Sequence, residues 1–414
     1  MNIVQKSGTY ISISSAINIL TPIIQNATIN DLMVNLSIPY ASYQIALIGA
    51  IYDTVKFNNY QVAGNYKSSD CIALLTLKLS TASLTITNLS FIPNIFCGAD
   101  LSSYLISNSY TSTLYITNLA IILGNFSIPQ VTNINTSSNS TNYYSFGGIV
   151  SYISNTNITA YKIIYDCYQT YQTNYVQNAG LLIGLSANNL STILLKTICL
   201  QQTIISVQDT QFFYEYGIVG FINGNITVQQ SQISLSIEGT SFNFFGVIGG
   251  LSEQCTQAKV INLITTVFMT VGSDSYGTIA AILGDSRSQQ FTIQNVSVSN
   301  SNISSKLYQA SLIGYNSNCD LIVINTTSIN NNITCYQYGA GGFIGYSDNS
   351  TITITQSTVQ SVQIVSSSYY GVILGYNKVG NTFKITTSQS INNIINGKKY
   401  TCLSLTNTWS DDQC

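Results

Sequence analysis

Residues 336–360 read YQYGAGGFIGYSDNSTITITQSTVQ, and residues 368–390 read SYYGVILGYNKVGNTFKITTSQS. The two stretches share one plan. An aromatic residue and a glycine precede a short apolar run, a second glycine and a tyrosine follow, and a polar turn leads into alternating apolar and polar residues. The second glycine recurs at Gly184, Gly220, Gly249, Gly284, Gly314, Gly345 and Gly375, spaced 36, 29, 35, 30, 31 and 30 residues apart. Aromatic-glycine steps open the units at Phe146-Gly147, Tyr216-Gly217, Phe245-Gly246, Tyr276-Gly277, Tyr338-Gly339 and Tyr370-Gly371. Further upstream the period is fainter. SLTITNL at Ser83 returns as TLYITNL at Thr113, and YQIALIG at Tyr43 resembles YQASLIG at Tyr308. A fixed period of this size marks a repeat architecture.

The units alternate apolar and polar residues and are rich in Ile, Val, Thr and Tyr, which argues for strands. A helical repeat would place apolar residues at i, i+3, i+4 and i+7, and these units do not. A propeller blade needs hairpin turns, yet Asn-Gly occurs only at Asn223-Gly224 and Asn396-Gly397. About thirty residues suits one coil of a parallel β-helix, with two or three short strands per coil. The expectation is an all-β solenoid of eleven to thirteen coils over residues 41–397, about 55–60 Å long at ~4.8 Å per rung. Residues 1–40 would form an N-terminal cap or irregular first coils, and 398–414 a C-terminal cap or the start of a truncated segment. Glycine at the anchors permits a bend and a close backbone approach. Tyr315, Tyr346 and Tyr376 would stack along one edge.

Composition agrees. Of the 414 residues only 7% are charged and 45% are hydrophobic, and the net charge is −2. Disordered chains are poorer in apolar residues and richer in charge. The near-zero charge offers no field for nucleic acid, so no nucleic-acid partner is expected. Polarity comes from Asn, Ser, Thr, Gln and 29 Tyr. Such residues form ladders in stacked β-structure, although abundant Asn, Ile and Tyr also follow from A/T-rich codons. No apolar run is long enough for a transmembrane helix. The opening MNIVQKSGTYISISSAINIL makes a poor signal peptide, so the chain is expected to stay inside the cell, to start elsewhere, or to be a fragment.

The units GGFIGYSDNSTITITQSTV and YGVILGYNKVGNTFKITTSQSI resemble the GLUG-type repeat of bacterial adhesins and related surface proteins. Gly341, Gly342, Gly345, Ile352 and Ile354 carry the resemblance best. It covers residues 146–397 clearly and the first third weakly, and the family's glycine-rich turn after the motif is mostly missing. The resemblance implies a repetitive extracellular or cell-surface rod with an adhesive or structural role.

Chemistry is sparse. The chain has no histidine, which removes Ser-His-Asp and Cys-His catalysis and histidine metal sites. It has neither a Cys-x-x-Cys pair nor a phosphate loop. No catalytic residue, cofactor or metal is expected. Glu253, Asp285, Asp320 and Asp348 follow the anchor glycine at offsets of 4, 1, 6 and 3. They are a candidate acidic column near Arg287, for calcium, for sugar or for the paired carboxylates of a glycosidase. Their plain role is to close turns. The Tyr315, Tyr346 and Tyr376 edge is the candidate face for a glycan or protein ligand, and its plain role is internal packing. Cys167 and Cys199, 32 residues apart, and Cys402 with Cys414 are candidate disulfides among nine cysteines. About fourteen Asn-x-Ser/Thr sequons are what so Asn- and Ser/Thr-rich a chain produces by chance. They permit glycosylation without arguing for it. The reading is a non-enzymatic surface solenoid acting as an adhesin-like stalk or interaction scaffold, with a carbohydrate-active β-helix enzyme as the alternative. An ice- or crystal-surface binder would need flat Thr-x-Thr ranks; TITIT at Thr351 fits, but QFTIQ and TFKIT in neighbouring coils do not.

Overall fold

A computed structural model describes residues 2–4, 16–41, 44–68, 72–97, 101–103, 105–128, 145–171, 178–188, 190–207, 215–239, 244–253, 255–271 and 277–400. The chain is all-β and winds into a parallel β-solenoid with coils of about 31 residues. Its longest stack runs from Ala16–Asn30 through Gln44–Ser68 to Thr382–Thr386. Twelve strands pair in parallel from one coil to the next, with local register shifts among the first seven.

The C-terminal coils are divided more finely than the sequence suggests, whereas Gln44–Ser68 and Ile72–Cys97 run almost a full coil as one strand. One period reads Ile313–Ser317, Asp320–Ile324, Thr327–Ile329, Asn332–Cys335 and Gly339–Gly341, five short strands where two or three were expected. The corners between the first four are made by residues in the left-handed region: Asn318, Asn325 and Asn330, with φ of 52°, 47° and 54°. Asparagine is the non-glycine residue that tolerates this conformation best. The corner at Asn325 repeats in every coil of the long stack. Its members are Asp31, Asn59, Asn88, Asn118, Lys162, Thr197, Gln230, Asn262, Asn295, Asn325, Gln356 and Thr387, all at positive φ. The spacing is 28–35 residues, except for 44 between Asn118 and Lys162, where 129–144 lie outside the described residues.

The corner asparagines also bond to one another along the rod. Asn59 Nδ2 donates to Asp31 Oδ1 at 2.8 Å, Asn88 to Asn59 at 2.9 Å and Asn118 to Asn88 at 2.8 Å. A second run joins Asn295 to Asn262 and Asn325 to Asn295, each at 2.9 Å. At several corners the next residue turns inward, and its backbone N–H is satisfied by a hydroxyl or amide one coil on. Thr326 N donates to Ser357 Oγ at 3.2 Å, and Ser301 N to Asn331 Oδ1 at 2.8 Å. Buried polar groups are thereby paired.

Between corners the inward residues form apolar ranks. Ile116, Ala160, Leu195, Val228, Val260, Ile293, Val323 and Ile354 lie in register and are fully buried. Each buried Ile, Leu or Val contributes on the order of 1.5–3 kcal/mol. Coil contributions are nearly additive in such a stack.

The anchor glycines mark where backbones cross. A Cβ on Gly345 would lie 2.6 Å from Gln309 N and from Gly314 O, and one on Gly375 2.6 Å from Ala340 N. Their φ is ordinary, so close approach between coils, not turn geometry, excludes a side chain.

At the N-terminal end, Ala16–Asn30 and Met33–Ala41 pair in parallel with Gln44–Ser68, with register shifts, as first coils of the stack. At the other end, Asn393–Ile395 and Lys398–Tyr400 form the one antiparallel pair among the described residues. The turn is Asn396-Gly397, both residues at positive φ (47° and 79°), as a type I′ hairpin requires. Residues 401–414 lie outside the described residues.

Candidate functional site

Strand register brings three candidate tyrosines into one rank. Tyr315, Tyr346 and Tyr376 lie opposite one another on Ile313–Ser317, Ile344–Asp348 and Leu374–Asn377. The Tyr315 and Tyr346 rings stack at 4.5 Å and 5°, those of Tyr346 and Tyr376 at 5.3 Å and 30°. Tyr346 therefore has neighbours on both faces and is only 5% exposed. The stack presents edges, not free faces, and packing accounts for it. Tyr308 lies against it, 4.6 Å from Tyr346. The solvent-facing members of the cluster are two residues that sequence reasoning passed over: Tyr338, 5.7 Å from Tyr308, and Tyr369, 4.2 Å from Tyr376. They are 44% and 38% exposed. Tyr338 had been read only as the aromatic of an aromatic-glycine step, and that step is the signal that marks it.

Electrostatics follow from this packing. Burial, then the neighbouring Tyr315 and Asp348, pushes the Tyr346 phenol up to about 12. Burial and four surrounding phenols push Tyr308 up as well. Asp348 accepts a bond from Lys378 Nζ at 2.8 Å and a long one from the Tyr346 hydroxyl at 3.5 Å. The hydrogen bond to Asp348 raises the Lys378 pKa.

The acidic column does not form as a column. Asp285 lies in the tyrosine rank, opposite Leu251 and Tyr315, buried and bonded to Arg287 Nη2 at 3.0 Å. Glu253 is opposite Asn223, Asp320 lies between Gln290 and Thr351, and Asp348 is opposite Ser317. Register puts Glu253 and Asp348 on one rank, three coils apart, and Asp285 and Asp320 on two others, so no two of the four carboxylates lie on adjacent rungs of one rank. Among the described residues no group of three or more Cys, Asp or Glu is placed to hold a metal ion.

The thiols are also separate. Cys199 is free, and its rung neighbour on Asn157–Tyr171 is Ile164, not Cys167. The offset between these two coils rises from 33 residues at Ile153 and Ser186 to 35 at Asn157 and Thr192, so a spacing of 32 does not bring Cys167 beside Cys199, and the expected bridge is not made. Cys255, Cys319 and Cys335 are buried free thiols. Burial pushes Cys319 up to about 12, which makes it inert. Cys402 and Cys414 lie outside the described residues.

No protein-family model, curated protein or solved structure matches the chain.

Proposed function

We propose that this solenoid is a non-enzymatic surface or extracellular rod, an adhesin-like scaffold of the GLUG-repeat kind that binds a glycan or protein ligand. The observation that carries this reading is the continuous parallel stack of twelve strands, which holds exposed side chains at rung spacing along an extended face. Two facts support it. The candidate carboxylates do not stack on adjacent rungs of one rank, and both Asp285 and Asp348 are engaged by a cation of their own. The exposed rings of Tyr338 and Tyr369 suit a partner that brings an apolar face and hydrogen-bonding groups.

The test is a binding screen of the purified rod on glycan arrays and intact cell surfaces, with polysaccharide turnover measured in parallel. Binding without turnover, weakened by Tyr338→Ala and Tyr369→Ala, is expected. Turnover that disappears on Asp320→Asn or Asp348→Asn would replace the scaffold by a carbohydrate-active enzyme.

A further inference from the structure

The first corner of the early coils carries an open groove that the sequence did not single out. Its left-handed residues are Asn26, Asp53, Thr81, Thr111 and Asn155, with φ between 46° and 55°, and all are exposed. Together with Ser83 and Thr113 they line a space of about 630 Å³. That lies within the few hundred to ~1,000 Å³ of ligand sites. Five coils at ~4.8 Å make the groove roughly 20 Å long.

Three features define what it fits. First, the lining is hydroxyl and amide. The Thr81 hydroxyl turns back to the Ser80 carbonyl at 2.8 Å. Those of Ser83, Thr111 and Thr113 meet no partner among the described residues, so their hydrogen bonds are free for a ligand. Second, the only charged lining residue is Asp53, and no cation lines the groove. That disfavours a polyanion. Third, exposed tyrosines stand on both sides of the corner. Tyr110 ends the strand that enters it and is 37% exposed; Tyr115 lies outward on the strand that leaves it and is 40% exposed. Each is backed by a ring of the next coil, Tyr110 by Tyr152 at 5.6 Å and Tyr115 by Tyr161 at 5.8 Å.

We propose that this groove binds a neutral polysaccharide chain lying along the rod, its sugar faces against Tyr110 and Tyr115 and its hydroxyls on Ser83, Thr111 and Thr113. The proposal rests on the reading of the rod as a binding scaffold and adds a site and a ligand class. A hydroxyl-rich, uncharged polymer matches a floor of unspent hydrogen bonds between two aromatic rings. The neighbouring rungs continue the polar floor, with Ser80 and Ser154 beside Tyr110 and Thr85 and Thr159 beside Tyr115, so the two rings mark one place along it.

The experiment uses fragments of neutral glucan, mannan and xylan, with polygalacturonate and heparin as anionic probes. The wild-type chain is compared with Tyr110→Ala/Tyr115→Ala, with Ser83→Ala/Thr113→Val, and with Tyr338→Ala/Tyr369→Ala as a control. All four positions changed in the groove are exposed, and unchanged melting confirms the fold of each variant. Neutral fragments are expected to bind, about tenfold more weakly in the tyrosine variant, more weakly in the hydroxyl variant and equally in the control. Loss of glycan binding only in the control moves the site to the other cluster and overturns the groove while leaving the scaffold standing. Preference for the anionic probes overturns the ligand class. Binding of cells or proteins without any glycan also overturns the groove but not the scaffold, whereas failure of every binding screen overturns both.

Discussion

Gly345 shows how far a single residue is constrained. An added methyl would meet the backbones of Gln309 and Gly314, which cannot rotate away as a side chain can. Overpacking of this kind costs about 1–3 kcal/mol. Gly345→Ala is therefore expected to lower the denaturant midpoint, whereas Gly397→Ala, with nothing within 4 Å of its Cβ, meets only the strain of its φ. Asn325 is constrained differently. Its φ of 47° suits Asn and disfavours Ala by about 1–2 kcal/mol, and Ala also deletes the bond to Asn295, worth about 0.5–1.5 kcal/mol. Asn325→Ala should destabilise by the sum of the two, and Asn325→Gly by the hydrogen bond and glycine's greater backbone entropy. Chemical denaturation of both variants checks the order; equal losses would show that the left-handed corner costs nothing.

At the scale of the element, the tyrosine stack makes stability depend on pH. The phenol of Tyr346 has its pKa raised in the folded protein above the usual value near 10. The folded state thus favours the neutral form. The contribution is fully present below pH 10 and is lost as pH rises through about 12. Melting temperature is expected to fall across that window, and less steeply in Tyr346→Phe; identical slopes would exclude this phenol as the cause. The stack was legible in the sequence because its members follow the anchor glycine at a constant offset. The acids were misjudged because the offset misleads: Gly249 lies opposite Leu283, so Glu253 shares a rank with Asp348 three coils away, Asp285 lies two positions earlier, and Asp320 is on the next strand. Asn59, Asn88 and Asn118 repeat at intervals of 29 and 30 residues. That spacing was a readable corner signal, obscured because Asn is abundant elsewhere and because Lys162, Thr197 and Gln230 occupy the same corner. The Asn396-Gly397 hairpin was also visible, but two Asn-Gly pairs in the whole chain argued against hairpins as a general plan, which was correct for all but the end.

The whole molecule is a sum of equivalent coils, so removing a full period should leave a folded rod. Ile313 and Ile344 are register partners. Deleting residues 314–344 joins Ile313 to Gly345, the junction that Ile344 already makes. This deletion is expected to retain β-sheet circular dichroism and cooperative melting. Deleting 314–338 instead joins unrelated positions and should not fold; equal behaviour of the two would show that register does not govern the stack. The whole-molecule period was the most legible feature of the sequence, while the start of the stack was not, since residues 16–41 lack the glycine anchor. The same coil-to-coil bonds have a mechanical consequence. Adjacent coils are joined by hydrogen bonds directed along the rod, so tension applied between its two ends loads those bonds in series and opens one coil before the next. Each coil of about 31 residues releases roughly 100 Å of chain. Under force the rod would lengthen in a regular sawtooth, over a distance many times its resting length.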